Sequence, residues 1–201
     1  MSFRIENKYK IAYSKYSHLY HWIKNSNGIK FYPDRKVHSI YFDNDSFQSY
    51  NNSIEGVVPR KKIRFRYYNE ENIFDKVIQY EEKISSIEGR YKYSKKIIIK
   101  KNKFYKGIFD NFYGLCFPKT CVSYKREYFK IFNVRVTIDT NIVYSEINKY
   151  GFRKRKINDK NFILEVKCDP NNNYFLDKNF NFEKIRFSKY CNSIEYLKIF
   201  C

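Results

Sequence analysis

The chain has 201 residues, and its 40 Lys and Arg outnumber 21 Asp and Glu to give a net charge of +19. That length suits one compact domain with a core, taken as residues 1–201, and excludes a large multidomain machine. No apolar run approaches the roughly 18 to 20 residues that cross a bilayer, and the opening MSFRIENKYK alternates charged and apolar residues, unlike a secretory leader.

In chain order, a period of two over 3–11 places Arg4, Glu6, Lys8 and Lys10 on one face and Ile5, Asn7, Tyr9 and Ile11 on the other. Ala12, Tyr16, Leu19, Tyr20 and Ile23 then follow helical spacing. Strands are predicted over 37–43 and over 60–68, the latter with Lys62, Arg64, Arg66 and Tyr68 opposite Ile63, Phe65 and Tyr67. Asn69 to Asn72 reads as a turn before a strand over 74–84, where Gln79, Glu81 and Lys83 oppose Ile78, Tyr80 and Ile84. A second turn at Ile87-Glu88-Gly89 leads to a strand over 88–100, with Arg90, Lys92 and Lys96 opposite Tyr91, Tyr93 and Ile97. Phe104, Ile108, Phe109 and Phe112 predict a second helix. Strands follow over 121–130 (Tyr124 and Arg126 on one face), 133–140 (Arg135, Thr137, Asp139) and 162–168 (Glu165 and Lys167 opposite Phe162, Leu164 and Val166). Tyr190, Ile194 and Leu197 predict a C-terminal helix.

About eight strands and three helices make an α+β protein on an antiparallel sheet. An AT-rich coding bias explains part of the total charge, since the chain has one alanine (Ala12) but is crowded with Lys, Asn, Ile, Tyr and Phe. It does not explain why the cations fall on one face of nearly every strand. Those rows have two readings. They are the solvated face of an ordinary half-buried sheet, or they line the lumen of a barrel whose apolar faces point outward under the helices. A lumen so rich in Lys and Arg is tolerable only when water or a polyanion fills it. The strands lack the aromatic girdles of an outer-membrane barrel.

Five cysteines (Cys116, Cys121, Cys168, Cys191, Cys201) contain no CxxC pair and form no ligand spacing with His18, His21 and His38. A reducing, cytoplasmic setting without structural zinc is expected. Only His38 lies in a plausible strand context, so nucleophilic triad chemistry has little support.

Arg4-Ile5-Glu6-Asn7-Lys8-Tyr9, Ser39-Ile40-Tyr41-Phe42-Asp43, Lys62-Ile63-Arg64-Phe65-Arg66-Tyr67, Glu81-Glu82-Lys83, Tyr124-Lys125-Arg126, Arg135-Val136-Thr137-Ile138-Asp139, Glu165-Val166-Lys167 and Arg186-Phe187-Ser188-Lys189 occur in this order. Together they resemble the catalytic domain of the vacuolar transporter chaperone (VTC) family, within the triphosphate tunnel metalloenzyme (CYTH-like) superfamily. The resemblance implies an eight-stranded antiparallel barrel tunnel with a basic lumen. It also implies transfer of the terminal phosphate of ATP to inorganic polyphosphate, with Mn2+ or Mg2+. By the same resemblance, Lys8, Arg64, Arg66, Lys83, Arg126, Arg135 and Lys189 are candidate catalytic cations, and Arg90, Lys96, Tyr124, Arg186 and Ser188 candidate phosphate contacts. Arg186 stands where the family often has lysine.

Glu165 falls on the family's metal-binding glutamate. Glu6, beside Lys8, and Glu81 are further candidate oxygen ligands, each also readable as an ion-pair partner for inward cations. Relatives in the wider superfamily open with ExExK, where this chain has Arg4 first, which favours the polymerase branch. A basic residue expected upstream of Arg64 has Arg60 as its best candidate. The implied partners are ATP and polyphosphate, with no specific nucleic acid and no transmembrane segment. Alternatives are a triphosphatase or polyphosphatase of the same fold, a non-catalytic polyphosphate-binding module, or a nucleic-acid binder.

Overall fold

The computed structural model describes residues 5–69, 73–148, 151–169 and 182–199. In order these form β1 (Ile5–Ala12), α1 (Tyr16–Asn25), β2 (Ile29–Asp43), α2 (Gln48–Glu55), β3 (Arg60–Tyr68), β4 (Val77–Ser86), β5 (Gly89–Ile98) and a single turn α3 (Lys101–Phe104). β6 (Ile108–Asp110), β7 (Gly114–Ile131), β8 (Val134–Asn148), β9 (Gly151–Asn158), β10 (Asn161–Cys168) and α4 (Lys189–Leu197) complete the chain. A hydrogen-bonded path orders the strands β1-β10-β8-β7-β2-β3-β4-β5, with β6 beside β7 and β9 beside β8. None of the described helices is long and apolar enough to cross a membrane.

The antiparallel α+β expectation holds, but the eight-stranded closed barrel does not: there are ten strands, and the path ends at β1 and β5 among the described residues. Two strands escaped the sequence reading. The spacing of Phe104, Ile108 and Phe109 suggests a helix, yet α3 ends at Phe104 and Gly107, at φ +83, turns the chain into β6. β9 contains the run Arg153-Lys154-Arg155-Lys156, which offers no apolar alternation to read. The helix α2 was also unread, because QSYNNSIE has no apolar stripe and buries only Ser49 and Ser53. Arg4 and most of the turn expected at Asn69 to Asn72 lie outside the described residues.

The chain divides into two compact units, Met1–Lys36 with Tyr124–Ile142 and Asn158–Phe187, and Val37–Ser123 with Val143–Ile157 and Ser188–Cys201. In the first unit, Tyr9, Ile11, Val136, Ile138, Phe162, Leu164 and Val166 alternate inward from β1, β8 and β10 and pack with Leu19 and Ile23 of α1. That packing explains α1: its apolar residues at i and i+4 meet one sheet face, which removes apolar surface from water at about 25 cal/mol per Å2. In the second unit, Ile40, Phe42, Ile63, Phe65, Ile78, Tyr80 and Phe104 form the core. Cys116, Cys121, Cys168 and Cys191 are buried and unbridged. Each unit therefore leaves the opposite, polar parity of its strands on the other face of the sheet.

The end of β2 anchors two helices of the second unit through a fully buried carboxylate. Asp43 accepts hydrogen bonds from the amides of Ser49 and Tyr50 (3.0 Å each) at the start of α2 and from the Tyr190 hydroxyl of α4 (2.6 Å). The orphan amides of α2 are thus satisfied from outside the helix.

Candidate functional site

In the first unit the register sets the polar residues in cross-strand rows. Glu6 faces Lys167, which faces Arg135, and Lys8 faces Glu165, which faces Thr137. Alternation alone produces this, since every second residue of β1, β10 and β8 points away from the core. Lys167 Nζ lies 2.8 Å from Glu165 and 3.4 Å from Glu6, so one ammonium bridges two carboxylates. Lys8 Nζ pairs with Glu6 at 3.2 Å and donates to the Phe187 carbonyl at 3.1 Å. Arg135 is exposed, as is Arg186.

Arg126, on β7, donates Nε and Nη2 to the two oxygens of Asp139 at 2.5 and 2.7 Å, and its guanidinium stands 5.2 Å from the Tyr124 ring centroid. Asp139 and Tyr124 are buried. Burial works against the charge of Arg126, but the Asp139 carboxylate more than offsets it and pushes its pKa further up. A bidentate pair of this kind fixes the plane of the guanidinium. Asp139 was visible in the alternation of 133–140 but was not singled out as a site residue. Lys167 reads from the sequence as an ammonium group for phosphate beside Glu165, and the structure adds its bridge to Glu6.

In the second unit the same logic gives further rows. Ser39 faces Arg66, which faces Gln79, which faces Lys96. Tyr41 faces Arg64, which faces Glu81, which faces Ser94; Lys62, Lys83 and Lys92 make the next. Glu81 is the hub: Arg64 Nε approaches it at 2.6 Å, Lys92 Nζ at 2.5 Å and Arg66 Nη1 at 3.6 Å. Burial alone would raise the pKa of Glu81, but Arg64, Arg66 and Lys92 outweigh it and hold the group at about 2. Arg64 also donates to the Tyr41 hydroxyl at 3.2 Å and Arg66 to Ser39 Oγ at 3.4 Å. Tyr41 and Ser39 were missed, although their parity on β2 places them on the polar face. Arg90 opens β5 opposite Ser85. Ser188 caps α4 by accepting from the Cys191 amide at 3.4 Å, and Lys189 is the first residue of that helix. Arg60 donates to the carbonyls of Gly56 and Val57.

The structure thus brings Lys8, Arg126, Arg135, Tyr124, Glu6 and Glu165 to one polar face of the first unit. It brings Arg64, Arg66, Lys83, Lys96 and Glu81 to one polar face of the second. No cluster of three His, Cys, Asp or Glu able to hold a metal occurs among the described residues. The two carboxylates that already share a cation, Glu6 and Glu165, are the donor pair suited to a hard divalent ion whose remaining ligands come from a substrate or water. Glu81 is committed to three basic side chains.

A family model described as the VTC domain matches residues 3–112 and 111–198. No curated protein matches the sequence. Among solved structures, a putative adenylate cyclase from Bacillus halodurans aligns at TM-score 0.62 with 12% identity, covering 97% of each chain. A putative adenylate cyclase from Vibrio parahaemolyticus aligns at TM-score 0.56 and 12% identity, covering 96% of this chain and 98% of that one. A putative adenylyl cyclase from Hippeastrum, reported with a dominant triphosphatase activity, aligns at 0.53 and 12% identity over 96% of both chains. These likenesses are of fold.

Proposed function

This chain belongs to the VTC domain family, with the CYTH-like fold of the triphosphate tunnel superfamily, and on that premise we propose that it transfers the terminal phosphate of ATP to a growing inorganic polyphosphate chain. The observation that carries the reading is the surplus of cations on the polar faces. In the second unit Glu81 stands among Arg64, Arg66 and Lys92, and Lys62, Lys83 and Lys92 line the neighbouring row of β3, β4 and β5. Rows of cations on one face attract a ligand that carries several negative charges in a line.

Phosphoryl transfer asks a protein mainly to position reactants and to neutralise charge. Lys8, Arg126 and Arg135 in the first unit, and Arg64, Arg66, Lys83 and Lys189 in the second, take phosphate oxygens in this reading. Arg90, Lys96, Tyr124, Arg186 and Ser188 add contacts. Asp139 and Glu81 hold the guanidinium planes of Arg126 and Arg64 before substrate arrives, so less ordering remains to be done on binding. Glu165 and Glu6 would hold the divalent ion, Mn2+ or Mg2+, which when bound supplies charge neutralisation at phosphate oxygens. No side-chain nucleophile enters the scheme, so transfer is direct.

Incubation of the purified protein with ATP and Mn2+, followed by gel separation of the products, should give a ladder of long chains. Orthophosphate alone would sink the polymerase reading and leave the second one: the triphosphatase activity reported for the Hippeastrum protein of like fold makes hydrolysis, with water as acceptor, the alternative.

A further inference from the structure

The polar face of the second unit changes character along its strands. Lys62, Lys83 and Lys92 form one row, Arg64, Glu81 and Ser94 the next, and Arg66, Gln79 and Lys96 the third. One step further, about 7 Å at two residues per row, the paired positions of β4 and β5 turn apolar, with Lys76 beside them. Val77 faces Ile98 there, and Tyr68 lies two residues beyond Arg66 on the same face of β3. Val77 and Ile98 are 61% and 63% exposed, on a face whose other β4 and β5 residues, from Gln79 to Ser85 and from Arg90 to Lys96, are polar or charged. A cavity of about 450 Å3 opens at this junction, walled by Arg66, Gln79 and Lys96 toward the basic rows and by Tyr68, Lys76 and Val77 on the other side.

A chain of phosphates needs a cation at each step and gains nothing from Val77 or from the ring of Tyr68. A ligand that is anionic at one end and a flat, weakly polar ring at the other matches both halves of the lining. We propose that this cavity takes the nucleoside end of the nucleoside triphosphate, its base stacked on Tyr68 and covering Val77, with Arg66, Gln79 and Lys96 on the ribose and the adjoining phosphate. The proposal rests on the reading that the basic rows bind triphosphate, and adds where the base goes. Stacking on one aromatic ring tolerates any base, so ATP and GTP should differ little here.

Titration calorimetry with ATP and with inorganic tripolyphosphate, in the same buffer with Mg2+, separates the two halves of the ligand. Tyr68→Ala should weaken ATP about tenfold, the loss expected for one stacked base, and leave tripolyphosphate unchanged. Tyr68→Phe should restore ATP. Val77→Lys, at an exposed position that tolerates replacement, should extend the cation rows by one step, tightening tripolyphosphate while weakening ATP, and it serves even if Tyr68→Ala does not fold. Equal losses for both ligands in Tyr68→Ala, or an ATP affinity that neither Tyr68→Ala nor Val77→Lys alters, would overturn the nucleoside site. Wild-type protein that binds tripolyphosphate but not ATP would also overturn it and leave the phosphate rows standing, whereas binding of neither ligand would remove both.

Discussion

Arg126 and Asp139 illustrate why single charges in this protein cannot be removed one at a time. Asp139 is fully buried, so Arg126→Ala leaves an uncompensated carboxylate in the interior and should destabilise the fold by about 3 to 5 kcal/mol in denaturant titrations. Replacing both, as in Arg126→Met with Asp139→Leu, should recover most of that stability while triphosphate affinity stays low, because the guanidinium itself binds phosphate. Recovery of affinity in the double variant would refute the phosphate role of Arg126. Glu165→Gln works in the opposite direction. It subtracts an anion beside Lys167 and Lys8, so triphosphate binding should persist or tighten while metal-dependent turnover falls about 100-fold.

Glu81 ties the same logic to pH. Its carboxyl is held at about 2 in the folded chain against an ordinary 4.5, so the folded state favours the ionised form. The stabilisation is complete above about pH 4.5 and fades as the pH falls toward 2; at neutral pH it amounts to something on the order of 3 kcal/mol. Glu81→Gln should therefore lower stability at pH 7, and the difference from wild type should shrink as acid is added. A difference that is flat between pH 5 and 2 would contradict the ion-pair geometry.

Among the elements, α2 and β6 owe their existence to residues outside any periodic pattern. α2 stands because Asp43 receives its first amides, and the same carboxylate takes the Tyr190 hydroxyl of α4. Tyr190→Phe leaves Asp43 with one donor fewer in a buried setting and should cost about 1 to 3 kcal/mol, read as a lowered melting temperature with the ring packing on Tyr41 kept. β6 depends on Gly107. A Cβ there would meet the Cys116 carbonyl oxygen at 2.7 Å in a backbone at φ +83, so Gly107→Ala should also destabilise, by about 1 to 3 kcal/mol.

For the molecule as a whole, a net charge of +19 makes the empty protein self-repelling and any polyanion a stabiliser. Tripolyphosphate at about 100 times its dissociation constant should add about 2.7 kcal/mol, or about 5 to 10 °C in melting temperature for a chain of this size. Raising the salt should shrink that shift. Nucleic acid will also bind so basic a protein, and displacement by short polyphosphate is expected to separate such capture from specific recognition.

What the sequence determined by itself was the alternation. Because side chains on a strand point to opposite faces with period two, Lys8, Arg64, Arg66, Glu81, Arg126, Arg135 and Glu165 could be assigned to polar faces, and α1 and α4 to helices, from spacing alone. What only the tertiary structure decided was who meets whom. Pairing register set Lys167 between Glu6 and Glu165, joined Arg126 to Asp139 and made Glu81 the hub of three cations, and of these contacts the one between Glu6 and Lys167 joins opposite ends of the chain while the others depend on the register of neighbouring strands. The strand order from β1 to β5 among the described residues, with β6 beside β7 and β9 beside β8, lay equally beyond local pattern. A strand's own residues state which face is polar, while the identity of its neighbour is fixed by the packing of the whole core.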